Sequence, residues 1–178
     1  MTKLKFKAGL CAFAFALALF APHAGAQARQ ARGWRRVVPM RSTRAEVLRR
    51  LGKPHRGNAT YSSYLFEGEE NARIDYSDGK RCTAGGEWRV PRGTVLRIIV
   101  TPRRVPALHL TDLNLDMRKF KKEAGSGDVQ ARTRYTDEAA GVTYEVFEHG
   151  SGPESGQVMS IEYGPTARDK RLRCPQKH

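Results

Sequence analysis

The thiols are the most reactive side chains in the chain, at Cys11, Cys82 and Cys174. Thiols close disulfides or ligate soft metals, and three of them, one near the start, make no Cys-rich zinc pattern. Cys11 falls in an apolar run that reads as a cleaved export signal. That leaves Cys82 and Cys174 as an even pair outside the reducing cytosol, so the expectation is a Cys82–Cys174 disulfide. An intermolecular bridge and two free thiols are the alternatives.

Other constellations are weaker. Asp112, Asn114 and Asp116, with Glu123 at the twelfth place, imitate a calcium loop. The sixth place is Met117, where the sharp turn wants glycine, and Arg118, Lys119, Lys121 and Lys122 crowd it with positive charge. A capped amphipathic turn explains the residues better. His55, His109, His149 and His178 have no mutual metal-ligand spacing. Ser151-Gly152 and Ser155-Gly156 are glycine-rich turns rather than a nucleophile elbow. Gly85-Gly86 lacks the Gly-Lys-Ser/Thr ending of a phosphate loop. No catalytic, cofactor-binding or metal-ligating residue is therefore assigned, and no cofactor is expected. Carboxylate pairs of the glycosidase kind leave no linear motif and stay open as an alternative.

One cluster suits a surface rather than a reaction. Arg32, Trp34, Arg35 and Arg36 combine an amphipathic ring with guanidinium groups, a combination that fits an anionic interface. No amphipathic helix surrounds it, and the competing reading packs Trp34 against a sheet edge.

These residues belong to a chain built for export. Lys3, Lys5 and Lys7 precede an uncharged apolar run at 8–20, and Ala24-Gly25-Ala26 supplies small residues for cleavage. The run falls short of the roughly 20 apolar residues that span a bilayer. Residues 1–26 are read as the signal peptide, and no later segment is apolar enough for a second span. Cleavage lowers the formal charge from +14 to +11, since the signal holds three lysines and no acid. The remaining length suits one domain with a core. The segment 27–36 reads as a flexible basic N-terminal stretch, 37–175 as a single α+β domain and 176–178 as a tail. Ten Lys/Arg and one acid, Glu46, lie between residues 29 and 56. Such a basic end attracts anionic lipid, polymer or acidic protein, or simply keeps the surface solvated. Nucleic acid is not expected as a partner, because export removes it and no recognition motif appears.

Within the domain, Thr43 and Glu46 have capping-box spacing, Val47, Leu48 and Leu51 share a helical face, and Gly52 with Pro54 stops the helix. Two turns are not stable alone and must dock on a sheet. Strands are expected at 60–67, 71–77, 94–101, 132–136, 142–148 and 157–163, and a second helix at 111–122, where Leu113, Met117 and Phe120 are spaced i, i+4, i+7. The expected fold is α+β, with short helices packed on a mainly antiparallel sheet. Residues 93–98 match 156–161 at one offset, which also carries Pro102 to Pro165. Two tandem helix-plus-three-strand repeats would explain this, and so would coincidence among short strands.

The motif Ser42-Thr43-Arg44-x-x-Val47-x-x-x-Leu51-Gly52-x-Pro54 resembles the helical start of the BamE/SmpA-like envelope domains. It is also similar to the repeat unit of the β-lactamase inhibitor protein, in which two α+β repeats form one curved sheet. Over residues 34–175 the pattern resembles a family of exported bacterial proteins without an established activity, on Tyr76, Cys82, Trp88-Arg89-Val90-Pro91, Thr94-Val95-Leu96, Tyr163-Gly164-Pro165 and Arg173-Cys174-Pro175. The resemblance implies protein binding in the envelope or outside the cell. It carries over no binding residues, and the chain lacks the lipobox cysteine of anchored assembly lipoproteins.

The expected function is that of an exported noncatalytic binding or scaffold domain, periplasmic or extracellular, with a protein or an anionic envelope component as partner. A small envelope hydrolase using a carboxylate pair, or a charge-driven adhesin to anionic surfaces, is the alternative.

Overall fold

Local signals at residues 43–52 act as the sequence dictates. In the computed structural model, helix α1 (Arg44–Leu51) starts at a reciprocal capping box. The Glu46 carboxylate accepts from the Thr43 N–H at 2.8 Å, and the Thr43 hydroxyl accepts from the Glu46 N–H at 3.3 Å. The structure describes residues 33–80, 82, 87–103, 106–124, 132–148 and 155–175. The expected signal peptide, Arg32, residues 176–178, His149, His178, Gly85-Gly86 and Ser151-Gly152 lie outside them. Among the described residues no helix is long and apolar enough to cross a membrane.

The expected α+β class is corrected: the fold is mainly β. Strands β1 (Arg56–Gly57), β2 (Tyr61–Phe66), β3 (Glu70–Tyr76), β4 (Val95–Pro102), β5 (Lys121–Ala124), β6 (Arg132–Asp137), β7 (Val142–Phe147) and β8 (Gln157–Tyr163) form one antiparallel sheet. Their order is β1-β2-β3-β4-β8-β7-β6-β5. The second helix expected at 111–122 does not form. Two 3-10 turns, Leu110–Leu113 and Met117–Lys119, flank Asn114 in the left-handed region at φ 46°. Asp112 accepts the His109 N–H at 2.9 Å, so its side chain shapes a turn, and Leu110, Leu113, Leu115 and Phe120 reach the core from irregular backbone. The chain after β8 forms a further 3-10 helix, Ala167–Leu172.

Each half of the sheet is a four-stranded meander rather than three strands, and among the described residues only the first half carries an α-helix. The halves meet where β4 pairs with β8: Ile98 opposes Tyr163, Ile99 opposes Glu162, and Val100 opposes Ile161. Pairing is thus symmetric about Ile99 and Glu162. The same backbone stitch recurs in both halves. Arg44 N–H donates to Gly93 O at 2.8 Å and Val95 N–H to Ser42 O at 2.9 Å. Leu110 N–H donates to Gly156 O at 2.9 Å and Val158 N–H to Leu108 O at 2.7 Å.

Alternation sends one face inward. Tyr64, Ala72, Ile74, Tyr76, Val95, Ile98 and Val100 line it in the first half, and Tyr135, Val142, Tyr144, Val146, Val158 and Ile161 in the second. Trp34, Val37 and Val47 belong to the same core, together with Leu108. Burying such side chains stabilises the fold by about 1.5–3 kcal/mol each. The core lies on one side of the sheet, which frees the opposite face for polar residues.

Candidate binding face

Register carries one row of outward side chains across all eight strands. Arg56 opposes Ser63, Ser63 opposes Arg73, and Arg73 opposes Ile99. The row continues through Glu162, Thr143, Thr136 and Lys121. None of these eight is buried. Alternate neighbours add Tyr61, Asp75 and Arg97 on one side and Glu145, Arg134 and Glu123 on the other.

The charges of this face are mostly paired. Asp75 accepts from Arg73 Nε at 2.8 Å and from Arg97 Nη2 at 2.8 Å and Nε at 3.0 Å. Donating to the Asp75 carboxylate raises the Arg97 guanidinium above its ordinary value. Arg73 also stands 4.9 Å from the Tyr61 ring centroid. Glu145 accepts from the Ser160 hydroxyl at 3.1 Å and pairs with Arg132 at 3.5 Å. Glu162, on β8 opposite Ile99, adds its negative charge to the Asp75 carboxylate in raising Arg97.

Beside Glu162 a cleft of about 150 Å³ opens between the β6–β7 turn and the segment after β8. Thr136, Thr143, Glu138, Glu162 and Lys170 line it, with backbone at Gly141 and Gly164. The Thr136 and Thr143 hydroxyls lie 3.1 Å apart, and Lys170 donates to Glu138 at 2.6 Å. Buried Asp137 is used locally, accepting the N–H groups of Ala139 at 2.9 Å and Ala140 at 3.0 Å.

A disulfide-tied ribbon joins the loop before β4 to the C-terminal segment. The expected bridge is present: Cys82 and Cys174 are bonded, with 5.1 Å between Cα atoms. Trp88 pairs with Arg173, Arg89 N–H donates to Leu172 O at 2.8 Å, and Cys174 N–H donates to Glu87 O at 2.8 Å. Arg41 reaches the buried Asp169 of the final 3-10 helix at 3.2 Å.

Of the residues expected at an anionic surface, Trp34 is packed while Arg35 and Arg36 are exposed. Trp34 is 7% exposed, packs edge-on against Phe66 at 5.5 Å, and donates Nε1–H to Glu70 at 2.9 Å. Arg35 lies over the Phe66 ring and bonds Glu69 at 2.5 Å and Glu70 at 3.0 Å. Arg36 is exposed as well, and its carbonyl accepts from Arg50. The packed alternative for Trp34 is what the fold adopts.

The calcium-like residues do not converge. Asp112 serves His109, Asp116 pairs with Arg118 at 2.9 Å, and Glu123 pairs with Lys121 at 2.7 Å. Among the described residues no group of three metal-ligating side chains exists. Among the described residues, ion-pair partners hold several carboxyls below their ordinary values. Lys170 lowers Glu138, Arg118 lowers Asp116, and Lys121 lowers Glu123. Burial pushes Glu148 up, but donors at Tyr135, Lys122 and Thr133 outweigh it.

Sequence reasoning missed the open row and Glu162, because neither is adjacent in sequence. The alternation of Arg73 and Asp75 with apolar neighbours was the available signal for an outward face.

No protein family and no curated protein matches the chain. Among solved structures it is similar to the crystal structure of a DUF4309 family protein, YjgB, from Bacillus subtilis subsp. subtilis str. 168, with 12% identity over 75% of this chain and 83% of that one and a TM-score of 0.45.

Proposed function

We propose that the mature protein is an exported, noncatalytic binding domain whose outer sheet face takes a protein partner in the envelope or outside the cell. The observation that carries this reading is the unburied row from Arg56 to Lys121, spanning eight strands with the core wholly behind it. A rigid sheet holds such side chains at fixed spacing, so a partner loses little on docking. The Cys82–Cys174 bridge suits an oxidising compartment. The resemblance of residues 42–54 to envelope domains points the same way.

Photocrosslinking tests the reading. A crosslinkable residue at Ile99 or Thr143 in the exporting cell is expected to capture one discrete partner. The same group at Leu48, exposed on α1 away from the face, is expected not to capture it. Absence of adducts from both face positions, or equal capture from Leu48, overturns the proposal.

A further inference from the structure

The two sulfurs of the Cys82–Cys174 bridge stand in unequal surroundings. Arg89 donates its Nε–H to Cys82 Sγ at 3.2 Å, in an exposed setting. Cys174 is bonded through its backbone instead, donating its N–H to Glu87 O at 2.8 Å. The ribbon holds Arg89 in place, since Arg89 N–H donates to Leu172 O at 2.8 Å and Trp88 pairs with Arg173. Of the other charged groups nearby in the ribbon, Arg171 and Arg173 are exposed and add positive charge, while Glu87 acts on Arg97 of β4. Cys82 also has left-handed backbone, at φ 51°, which is strained for a residue with a Cβ. Both cysteines are partly exposed rather than enclosed. A guanidinium beside a sulfur favours its thiolate, and the sulfur that makes the better thiolate is expelled faster in thiol–disulfide exchange. Strained and exposed bridges are the labile ones.

We infer that the bridge is a polarised thiol-exchange site: an incoming thiolate attacks Cys174 Sγ, and Cys82 leaves as the thiolate that Arg89 holds. In this step the incoming sulfur bonds to Cys174, the S–S bond breaks, and its electron pair stays on Cys82 Sγ. A second thiolate then attacks the incoming sulfur of the mixed disulfide, and Cys174 leaves. Two thiols become one disulfide, their two electrons reduce the bridge, and their protons pass to the two cysteines. The co-substrate is therefore a pair of small thiols or one dithiol. Closure is the reverse: an oxidising disulfide first loads Cys174, and the Cys82 thiolate displaces its carrier. The same asymmetry thus directs bond formation in an oxidising compartment. Opening removes the covalent tie on the 3-10 helix Ala167–Leu172, leaving it to contacts such as Arg41 with Asp169.

The test uses the mature protein with the bridge closed. The probe is 2-mercaptoethanol, which is uncharged, so Arg89 cannot act by attracting the reagent. N-ethylmaleimide stops the reaction and caps the freed thiol, and the peptides are mapped by mass. The mercaptoethanol adduct is expected on Cys174 and the maleimide on Cys82, with a preference of about fivefold or more. Arg89→Gln is expected to slow opening about fivefold and to erase the preference. A merely packing role for Arg89 gives the opposite sign, because a loosened ribbon exposes the bond and opens faster. Adducts divided equally or gathered on Cys82 in the parent overturn the inference. So does an opening rate that is unchanged or raised in Arg89→Gln. The adduct map is read on the parent protein, so it decides the matter even if the variant does not fold.

Discussion

Cys82 and Cys174, 92 residues apart in sequence, are joined with their Cα atoms 5.1 Å apart, and the bond ties the loop before β4 to the end of the chain. It clamps a ribbon in which Trp88 and Arg173 pair. Closing so long a loop restricts the unfolded chain by about 4–5 kcal/mol in the chain-entropy account, an upper figure. Replacing both cysteines by serine should lower the urea midpoint sharply, and the Arg89 and Cys174-position amides should exchange fastest. A double variant as stable as the parent would refute this.

Gly141 turns the chain between β6 and β7 at φ +70°. A Cβ there would meet the Gly164 carbonyl oxygen at 2.5 Å, the backbone against which the cleft is built. Gly141→Ala combines left-handed strain of about 1–2 kcal/mol with that overlap. It should destabilise the fold by about 2 kcal/mol or more and shift the Gly164 amide, as thermal unfolding and amide spectra would show.

Glu148 holds together the free edge of the second half. It accepts from the Thr133 hydroxyl at 2.9 Å, from Lys122 at 3.0 Å and from the Tyr135 hydroxyl. Its folded value lies below the ordinary 4.5, so its contribution is present above about pH 4.5 and is lost as pH falls through the folded value. Glu148→Gln should lower the urea midpoint at pH 7 and flatten its decline below pH 4.5. Parallel pH curves for the two proteins would count against this.

Tyr163, opposite Ile98 and Val142, shows the alkaline counterpart. Burial, helped by Tyr144 and the Glu70 charge, pushes its hydroxyl up to about 12. The unfolded chain ionises near pH 10, so folding stability should fall from pH 10 toward pH 12 as only the unfolded state releases the proton. Burial also raises Tyr64, Tyr76 and Tyr135, so spectrophotometric titration should find a late-ionising group of tyrosines that loses one member in Tyr163→Phe.

Trp34 is already packed on Phe66 and bonded to Glu70. Anionic vesicles should therefore leave its emission unshifted at low salt. A blue shift that disappears in Trp34→Phe would show that the segment leaves the fold to enter a membrane.

What could be read from the sequence was local. The Thr43–Glu46 capping box, the stop at Gly52 and the alternation of Ala72, Ile74 and Tyr76 depend on neighbours within a few residues. The cysteine pair emerged by elimination. Other features depended on contacts between distant segments. Strands β1 and β5 are two and four residues long and exist only because β2 and β6 supply their hydrogen bonds. The 111–122 segment has helical spacing, yet its apolar side chains reach the core better from turns around Asn114. The pairing of β4 with β8 placed Ile99 beside Glu162, because strand register is chosen by the packing of the buried face and the outward residues follow it.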